Sequence, residues 1–482
     1  MDFNDFAEIK HQQLGTEWSR KFHIQRDTAL AKWISSFREH QESQVIGDCF
    51  GSFNWSCIVQ FNDGVKWIVR FAVPGQVMDP DEKVPREVAT MRIIQERTSI
   101  PVPAIHAWGL SKDNPLELGA FIIMDYVEGK DLGKLWEYKP TERKSDGILK
   151  STISEQELRV VYRQIAGFLL ELSRLEFDKG GALFIHGDQT IDVEQSPLTL
   201  KMQEIEAHGG VRVGGCRDKL FSSATDYFSH VAEQDLQHLL EQPNSIDDAE
   251  DARSKYKFRS QLLALIPRFV NKKYDRSPFR LICDDMRLGN ILVNNETELK
   301  IVAVLDWEWA YTAPYQMFFS PPRWLLIKKP TYWTSEDLDR YKTCLELFLH
   351  VLAQEETDRY KDENHLIENP ERLSDLMRQS MDDGKLWFHE LMYACYEGAN
   401  NPAWQAICKL HPDLDDFAPI PESTLDGFSK TKMEQLQKYE AEWAKKQAEL
   451  DREQKELEAL IEKVAAFDPE LAEKARKRLL TQ

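Results

Sequence analysis

The 482-residue chain has little positive charge for its length. Its 61 Lys and Arg residues are outnumbered by 81 Asp and Glu, which gives a formal net charge of −20. This excess of negative charge disfavours electrostatic binding to nucleic acid or to an anionic membrane. The acidic surface either serves solubility alone or favours a cationic or neutral partner.

Cysteine pairs and long apolar runs are also missing. The seven cysteines include no C-x-x-C pair and are odd in number, so they imply neither a zinc site nor a disulfide framework. No stretch approaches the ~18 apolar residues of a membrane span. The segment from Met1 to Phe6 lacks a basic region followed by an apolar core. We therefore expect a reducing, cytoplasmic location and no membrane partner. The globular chain is long enough for two or three domains.

What the chain does contain is a triplet of polar residues around two apolar runs. Asn290 opens the run Ile291 to Val293, and Asp306 closes the run from 299 to 305, with a polar turn between them. If the runs pair as an antiparallel hairpin, Asn290 and Asp306 become neighbours. An amide and a carboxylate are the hard oxygen ligands that Mg²⁺ prefers, and Asp285, on the preceding loop, could accept a proton from a hydroxyl. The alternative is a surface hairpin with ordinary acidic residues.

A second hairpin lies upstream and is preceded by a glycine-containing loop. The segments 53–61 and 65–71 alternate as strands, and Asn62-Asp63-Gly64 supplies the turn between them. In the loop from Gly47 to Asn54, the residues Gly47, Gly51 and Ser52 would let backbone amides approach a phosphate. The alternative reading of these glycines is a plain turn.

A carboxylate on the next helix points to a buried ion pair. The segment from Asp79 to Arg97 is predicted as a helix, and Glu87 lies at the edge of its apolar face. A buried carboxylate needs a cation, and Arg70, at the end of the second hairpin strand, is the natural candidate. The alternative is that Glu87 is a solvent-exposed charge on the helix and that Arg70 is a charged residue that keeps an edge strand from pairing with another chain.

The stretch after this helix reads as a short buried strand that ends in a connector. The strand Phe121 to Met124 runs into Asp125, Tyr126 and Val127, followed by Gly129. An apolar strand that gives way to a glycine-containing connector suggests a hinge between two lobes. The backbone of such a hinge could pair with an adenine.

The C-terminal region carries a heptad pattern over polar sequence. Apolar residues recur every seventh position from Leu436 to Val464, but the matching positions that a coiled coil would also need are polar. We expect a long helix that docks on the body or extends as a solvated spacer, and a protein contact through this helix is an alternative. Asp468-Pro469 reads as a cap that restarts a shorter helix.

In their order along the chain, these sequence features resemble those of the aminoglycoside phosphotransferase family, and more closely those of its fungal members. The resemblance rests on Ile68-Val-Arg-Phe71, Ile100-Pro-Val-Pro103, Phe121-Ile-Ile-Met124 and Asp306-Trp-Glu-Trp309, and it covers about residues 45–330. It implies an α+β, bilobal protein-kinase-like fold. The implied division is a helical extension (1–40), a β-rich nucleotide-binding N-lobe (41–124), a hinge (125–135), a larger helical C-lobe (136–427) and a long helical tail (428–482).

The same resemblance implies roles for individual residues. Asp285 would be the catalytic base, Arg287 would face the transferred phosphoryl group, and Asn290 and Asp306 would hold Mg²⁺. The implied ATP-binding residues are Gly47, Gly51, Ser52, Arg70 with its partner Glu87, and the hinge residues Asp125, Tyr126 and Val127.

Two departures from the family pattern affect these expectations. Cys283 and Asp284 stand where the family usually has His and Gly before the base, which predicts a less rigid catalytic loop. Arg70 replaces the usual lysine, and a planar guanidinium is no simple substitute for a compact ammonium. We therefore expect reduced ATP affinity or turnover.

The sequence thus favours an ATP- and Mg²⁺-dependent phosphotransferase acting on a hydroxyl of a small molecule. The rival hypothesis is a catalytically weak or inactive pseudokinase-like scaffold, which the departures at Cys283 and Arg70 favour. A protein kinase is a third option, disfavoured because no A-P-E-type segment follows Asp306.

Overall fold

The computed structural model describes residues 3–139, 147–215, 217–276, 278–362, 371–470 and 472–473. The α-helices are α1 (Asp5–Gln25), α2 (Ala31–Ser35), α3 (Pro80–Arg97), α4 (Leu132–Trp136), α5 (Glu155–Leu172), α6 (Leu200–Gly209), α7 (Ala224–Glu241), α8 (Ala249–Phe269), α9 (Ser335–Asp362), α10 (Leu373–Asp382), α11 (Lys385–Tyr393), α12 (Pro402–Leu410), α13 (Leu414–Phe417) and α14 (Glu422–Ala465). A π-helical segment, Arg26–Leu30, joins α1 to α2. Short 3₁₀ turns span Ser111–Asp113, Lys272–Tyr274, Leu288–Asn290, Tyr315–Phe319, Arg323–Leu326 and Pro330–Tyr332.

The strands build one large sheet and several small ones. They are β1 (Ser43–Phe50), β2 (Asn54–Phe61), β3 (Lys66–Ala72), β4 (Ile105–Gly109), β5 (Phe121–Asp125), β6 (Lys130–Asp131), β7 (Glu137–Tyr138), β8 (Ile148–Leu149), β9 (Glu176–Phe177), β10 (Ala182–Ile185), β11 (Ile191–Gln195), β12 (Phe279–Cys283), β13 (Ile291–Val293), β14 (Ile301–Val304) and β15 (Ala310–Pro314). The large sheet has the order β1-β2-β3-β5-β4 with antiparallel neighbours. It forms the small lobe of an α+β, bilobal kinase-like fold, as the sequence predicts.

Strand alternation decides what each face of the large sheet touches. On β3, Trp67, Val69 and Phe71 join one cluster with residues of α1 and α2. Ile68 packs on the opposite side, against the main core to which α3 contributes. Successive side chains of a strand point to opposite faces, so Arg70 faces α3 together with Ile68. This places Arg70 in the space between the sheet and the second lobe.

The predicted helical N-terminal extension is present as α1 and α2, and it covers the outer face of the sheet. Asn4 caps α1 by accepting the N–H groups of Phe6 and Ala7 at its side-chain oxygen. Leu30 and Ile34 are fully buried against the sheet, whereas Phe37, which follows α2, is 40% exposed. The extension is therefore part of the small lobe's hydrophobic core.

The predicted catalytic hairpin is formed by β13 and β14. Ile291 lies opposite Val304, and the N–H of Leu305 donates to the carbonyl oxygen of Asn290 at 2.8 Å. The strand β6 lies within the predicted hinge segment, residues 125–135, and adds to the other edge of β13. The hinge segment thus runs directly into the sheet that carries the catalytic hairpin.

The large lobe is mostly helical, but one part of it differs from the prediction. Sequence patterns indicate irregular structure around Gly180 within a largely helical region, whereas β10 and β11 form an antiparallel hairpin there. Its apolar segment of four residues is too short for periodicity to separate a strand from a loop. The hairpin is stabilised by packing, because Leu183 is buried in the main core and Val193 packs against it.

The C-terminal helix begins earlier than predicted and has two different halves. α14 starts at Glu422 rather than at residue 428 and continues to Ala465. Its first half docks on the body: Leu436 packs with Leu239 and Ile246, and the hydroxyl of Tyr439 donates to Asp5 Oδ2 at 2.8 Å. Most residues of the second half are exposed, and helical residues resume after Asp468, as predicted. Residues 474–482 of the predicted tail lie outside the described residues.

Within the described ranges, no helix has both the length and the apolar character that crossing a membrane would require.

Candidate active site

The loop between β12 and β13 brings the first two predicted catalytic residues together. Asn290 is buried, and its side-chain nitrogen donates to the backbone oxygen of Asp285 at 2.8 Å and to its Oδ2 at 3.1 Å. This orientation ties the amide nitrogen to the predicted base and leaves the amide oxygen, Oδ1, as the atom that could bind a metal ion. The Asp285 side chain is 21% exposed, so it faces the cleft and is open to a hydroxyl group.

Asp306 follows β14 directly and adopts an unusual backbone conformation. Its φ of 57° lies in the left-handed region, where aspartate is tolerated better than most residues but still costs roughly 1–2 kcal/mol. Backbone strain of this kind concentrates at functional sites. Burial in the cleft raises the pKa of Asp306; Arg70 opposes this rise, and the carboxylates of Glu308 and Glu87 add to it. A nearby cation would therefore stabilise the ionised form of this carboxyl group.

The predicted ion pair between Arg70 and Glu87 is present, with both residues buried. The same guanidinium also donates from Nη1 to Asp306 Oδ1 at 3.0 Å. Arginine can make both contacts because its planar fork presents donors in two directions. Arg70 therefore links α3 of the small lobe to the predicted metal ligand of the large lobe.

Beside this pair lies a second buried ion pair that the sequence analysis missed. Lys83 on α3 pairs with Glu308, and both side chains are almost completely buried. Asn54, at the start of β2, donates from Nδ2 to Glu308 Oε2 at 2.8 Å and accepts from Lys83 Nζ at 3.3 Å. Burial opposes ionisation of Glu308, but Lys83 and Arg70 outweigh it and lower its pKa.

A signal for this second pair is present in the sequence. Glu308 stands between Trp307 and Trp309, and a carboxylate within an aromatic, buried segment needs a cation. Lys83 lies four residues before Glu87 on α3, which places both on one helix face. The phenyl ring of Phe53 also packs edge-on against Trp309, with ring centroids 5.0 Å apart. The loop before β2 is thereby fastened to the segment that follows Asp306.

The residues that depart from the family pattern also make defined contacts. The thiol of Cys283 lies 3.7 Å from the backbone oxygen of Asp306, to which it donates. The carboxylate of Asp284 accepts the N–H of Leu200, at the start of α6, and the hydroxyl of Tyr311, both at 3.0 Å. Burial raises the pKa of Asp284 to about 6. The catalytic loop is therefore anchored here by contacts other than those of the usual histidine.

The glycine-containing loop is shorter than the sequence predicts. Gly47 lies inside β1, opposite Ile58 and next to a bulge, because residues 47–50 satisfy their backbone groups by pairing with β2. The loop proper contains Gly51 and Ser52, and the N–H of Gly51 donates to the carbonyl oxygen of Asn54 at 3.0 Å. Of the three predicted loop residues, the structure leaves Gly51 and Ser52 at the tip and places Gly47 in the strand.

The predicted hinge residues follow β5 as expected. The N–H of Asp125 donates to the Ala104 carbonyl at 2.9 Å, and the N–H of Tyr126 donates to that of Lys66 at 3.2 Å. These amides are therefore engaged, and Val127 is the residue of the three whose N–H an adenine could use. The Asp125 side chain lies 2.6 Å from His106 Nε2, on the outer side of the sheet's edge.

Arg287 points to the predicted base. Its Nε donates to Asp285 Oδ1 at 2.9 Å, and its side chain is 57% exposed. The structure therefore places Arg287 beside Asp285, and its role facing the transferred phosphoryl group stays a prediction.

Sequence comparison assigns the chain to a family. The sequence model of the Phosphotransferase enzyme family matches residues 56–316, which is more than half of the chain. The chain belongs to this family. The matched segment begins in β2 and ends after β15, so it contains Arg70, Glu87, the catalytic loop and Asp306. The prediction of family and fold is confirmed.

Individual relatives of this phosphotransferase family member are distant. It is 31% identical over 181 residues to Altered inheritance of mitochondria protein 9, mitochondrial, of Debaryomyces hansenii. The aligned segment covers 37% of this chain and 25% of the relative. It is 26% identical over 322 residues to Clavilactone A biosynthesis cluster protein Y of Ampulloclitocybe clavipes, which covers 64% of this chain and 71% of the relative. The chain thus spans about a quarter of the first relative's length.

Among solved structures, a similar one is a thermostable mutant of the aminoglycoside phosphotransferase APH(4)-Ia in ternary complex with AMP-PNP and hygromycin B. The alignment has 13% sequence identity and a TM-score of 0.40, and it covers 85% of this chain and 99% of the other.

Proposed function

We propose that this protein is an ATP- and Mg²⁺-dependent phosphotransferase that transfers the γ-phosphoryl group to a hydroxyl of a small molecule. The observation that carries the proposal is the convergence of Asp285, Asn290 and Asp306 with Arg70 at one cleft between the lobes. Oxygen ligands, a proton acceptor and a buried cation are the parts that phosphoryl transfer needs.

Each residue has a defined task in this reaction. Asp285 accepts the proton of the acceptor hydroxyl as the hydroxyl oxygen bonds to the γ-phosphorus, while the bond to the β-phosphate oxygen breaks and ADP leaves. The donor set of Asn290 Oδ1 and the Asp306 carboxylate fits Mg²⁺, which would neutralise charge on the phosphate oxygens. Arg70 and Arg287 contribute further positive charge at the same place.

The second candidate is a pseudokinase-like scaffold, and one contact favours it. Arg70 already donates to Asp306, so a guanidinium lies where a metal ion would need the carboxylate. If that contact persists when nucleotide is offered, Asp306 is closed to the ion and the protein is an interaction module. If Arg70 turns to the phosphates instead, Asp306 becomes available and the enzyme hypothesis holds.

Nucleotide binding separates the two candidates. We would titrate the full chain with ATP by calorimetry, with and without Mg²⁺, and compare Asp306→Asn with the control Asp63→Asn on the exposed β2–β3 turn. We expect Mg²⁺-dependent binding by the parent and by the control, and affinity lower by more than about tenfold in Asp306→Asn, since even outer partners of a metal ion contribute 10–100-fold. Absence of Mg²⁺-dependent binding in the parent under all conditions would refute the enzyme proposal.

The acceptor and the cellular location belong to the same proposal. The net charge of −20 is compatible with a neutral or cationic acceptor, and a screen of hydroxyl compounds for ATP-dependent ADP release would identify it. We propose a cytoplasmic location, whereas several relatives are named as mitochondrial proteins. A fluorescent fusion viewed beside a mitochondrial marker decides between these locations.

A further inference from the structure

Two histidines and a glutamate meet where α1 packs on α6. Glu8 and His11 lie three residues apart on α1, and His208 lies in the last turn of α6. One ligand atom from each of the three residues lies within 4.8 Å of the others. The i, i+3 spacing of Glu and His on one helix presents both side chains on the same face.

The contacts inside this cluster leave one imidazole nitrogen without a partner. His208 Nδ1 and Glu8 Oε1 are 2.6 Å apart, so they share a proton. His11 Nδ1 is buried and has no hydrogen-bond partner among the described residues. A neutral imidazole carries a lone pair on one of its two ring nitrogens. A buried nitrogen of this kind normally binds a hydrogen-bond donor or a metal ion.

The surroundings of the cluster favour a cation. The end of α6 carries the negative pole of the helix dipole, and His208 lies in its last turn. Glu204 Oε2 is 3.9 Å from His208 Nε2, on the side opposite to Glu8. A carboxylate behind a histidine is the usual support of a metal-bound imidazole. The ring of Phe3 stacks on His208 with centroids 4.6 Å apart and covers one side of the cluster.

We propose that Glu8, His11 and His208 bind Zn²⁺ and thereby fasten α1 to α6. Two imidazoles and one carboxylate are a common zinc ligand set, and a water molecule would complete the tetrahedron. In such a site the bonds from the ligand atoms to the ion are about 2.0–2.2 Å long. Nitrogen ligands select Zn²⁺ over Mg²⁺, so this site should differ in metal preference from the proposed Mg²⁺ site. The cysteine pattern could not reveal it, since it contains no cysteine.

The test measures zinc on the full chain after removal of any affinity tag and treatment with a chelator. Competition with a zinc indicator should give one saturable site per chain, and excess Mg²⁺ should not displace the ion. We expect Glu8→Gln and His11→Ala each to weaken this site by at least about tenfold, because loss of an outer partner alone costs 10–100-fold. The matched control is His106→Ala, which removes a histidine that lies beside one carboxylate, Asp125, rather than in a set of three ligands.

A second readout guards against a variant that simply misfolds. Circular dichroism should show that the variants keep the parent's helix content. Co²⁺ added to the metal-free parent should give visible absorption bands of a four-coordinate site, and these bands should be absent in His11→Ala and present in His106→Ala. The proposal is overturned if the parent binds no zinc stoichiometrically, or if folded Glu8→Gln and His11→Ala bind it as tightly as the parent.

Discussion

Replacing Lys83 by methionine should destabilise the protein by about 3–5 kcal/mol. Only 2% of the Lys83 side chain and 4% of the Glu308 side chain are exposed, so the substitution leaves a carboxylate buried without its main cation. Breaking a buried ion pair from one side costs this amount because the remaining charge stays desolvated. Methionine keeps the unbranched shape of the lysine stem, so lost packing contributes little. Asn54 still donates to Glu308, which places the expected cost near the lower end of the range.

The assay is a thermodynamic cycle on the Lys83–Glu308 pair. Urea unfolding would be followed by tryptophan fluorescence, which is well placed because Trp309 lies under the Lys83 ammonium, 5.1 Å from ring centroid to nitrogen. We expect Glu308→Gln to destabilise less than Lys83→Met, since glutamine keeps a side-chain oxygen that can accept the hydrogen bond from Asn54, whereas Lys83→Met leaves a buried charge. The double variant Lys83→Met, Glu308→Gln should lose less free energy of unfolding than the two single variants lose together. The difference should be at least about 2 kcal/mol.

An exposed ion pair of the same protein supplies the control. Arg159 and Glu155 pair across one turn of α5, with side chains that are 34% and 66% exposed. Arg159→Met should cost about 0.3–0.5 kcal/mol, because both groups remain solvated. The reasoning is refuted if Lys83→Met costs no more than Arg159→Met, or if the cycle shows no coupling between Lys83 and Glu308.

Three further outcomes are expected. Asp285→Asn should lower the rate of phosphoryl transfer by about 10²–10⁴-fold, because the carboxylate accepts the proton of the acceptor hydroxyl. The Kd of Mg·ATP should change little. Steady-state kinetics measures the rate and calorimetry the Kd, and an unaltered kcat would contradict the prediction. Tyr439→Phe should lower the free energy of unfolding by about 1 kcal/mol, since its hydroxyl bonds the Asp5 backbone and side chain; limited proteolysis should then cut the C-terminal helix faster. Burial lowers the pKa of His238 and of His389 to about 3 from 6.5, so the unfolded chain binds more protons below pH 6.5. The free energy of unfolding should therefore fall as pH decreases from 6.5 towards 3, by roughly 1.4 kcal/mol per pH unit for each histidine, and urea titrations at pH 7 and pH 5 would show it.

The predictable part of the site is the part built from neighbours in the chain. Asn290 and Asp306 could be placed side by side because a short turn between two apolar runs leaves one pairing that buries both. Glu87 could be recognised as buried from its position on an amphipathic helix, and its partner followed because Arg70 is the only basic residue that interrupts the run from Trp67 to Val73. These inferences need only strand alternation, helix periodicity and the cost of burying a lone charge.

Other features depend on contacts between distant segments. Gly47 looks like a loop residue by composition, but pairing between β1 and β2 takes it into a strand. The β10–β11 hairpin is hidden in sequence because four apolar residues have no resolvable period, and packing against the core stabilises it. Cys283 and Asp284 suggest a weakened catalytic loop, yet Tyr311 and the N-terminus of α6 hold Asp284 in place.

By itself, the sequence determined the family, the two-lobe fold and the local constellation of Asp285, Asn290 and Asp306, because spacing along a hairpin dictates which side chains become neighbours. Only the tertiary structure decided the ion pairs between the lobes: Arg70 also contacts Asp306, and Lys83 pairs with Glu308 from the opposite lobe. It also brought His208 to α1. The reason is that pairing of charges across lobes depends on how helices and sheets pack, and no periodicity in a single segment records that packing.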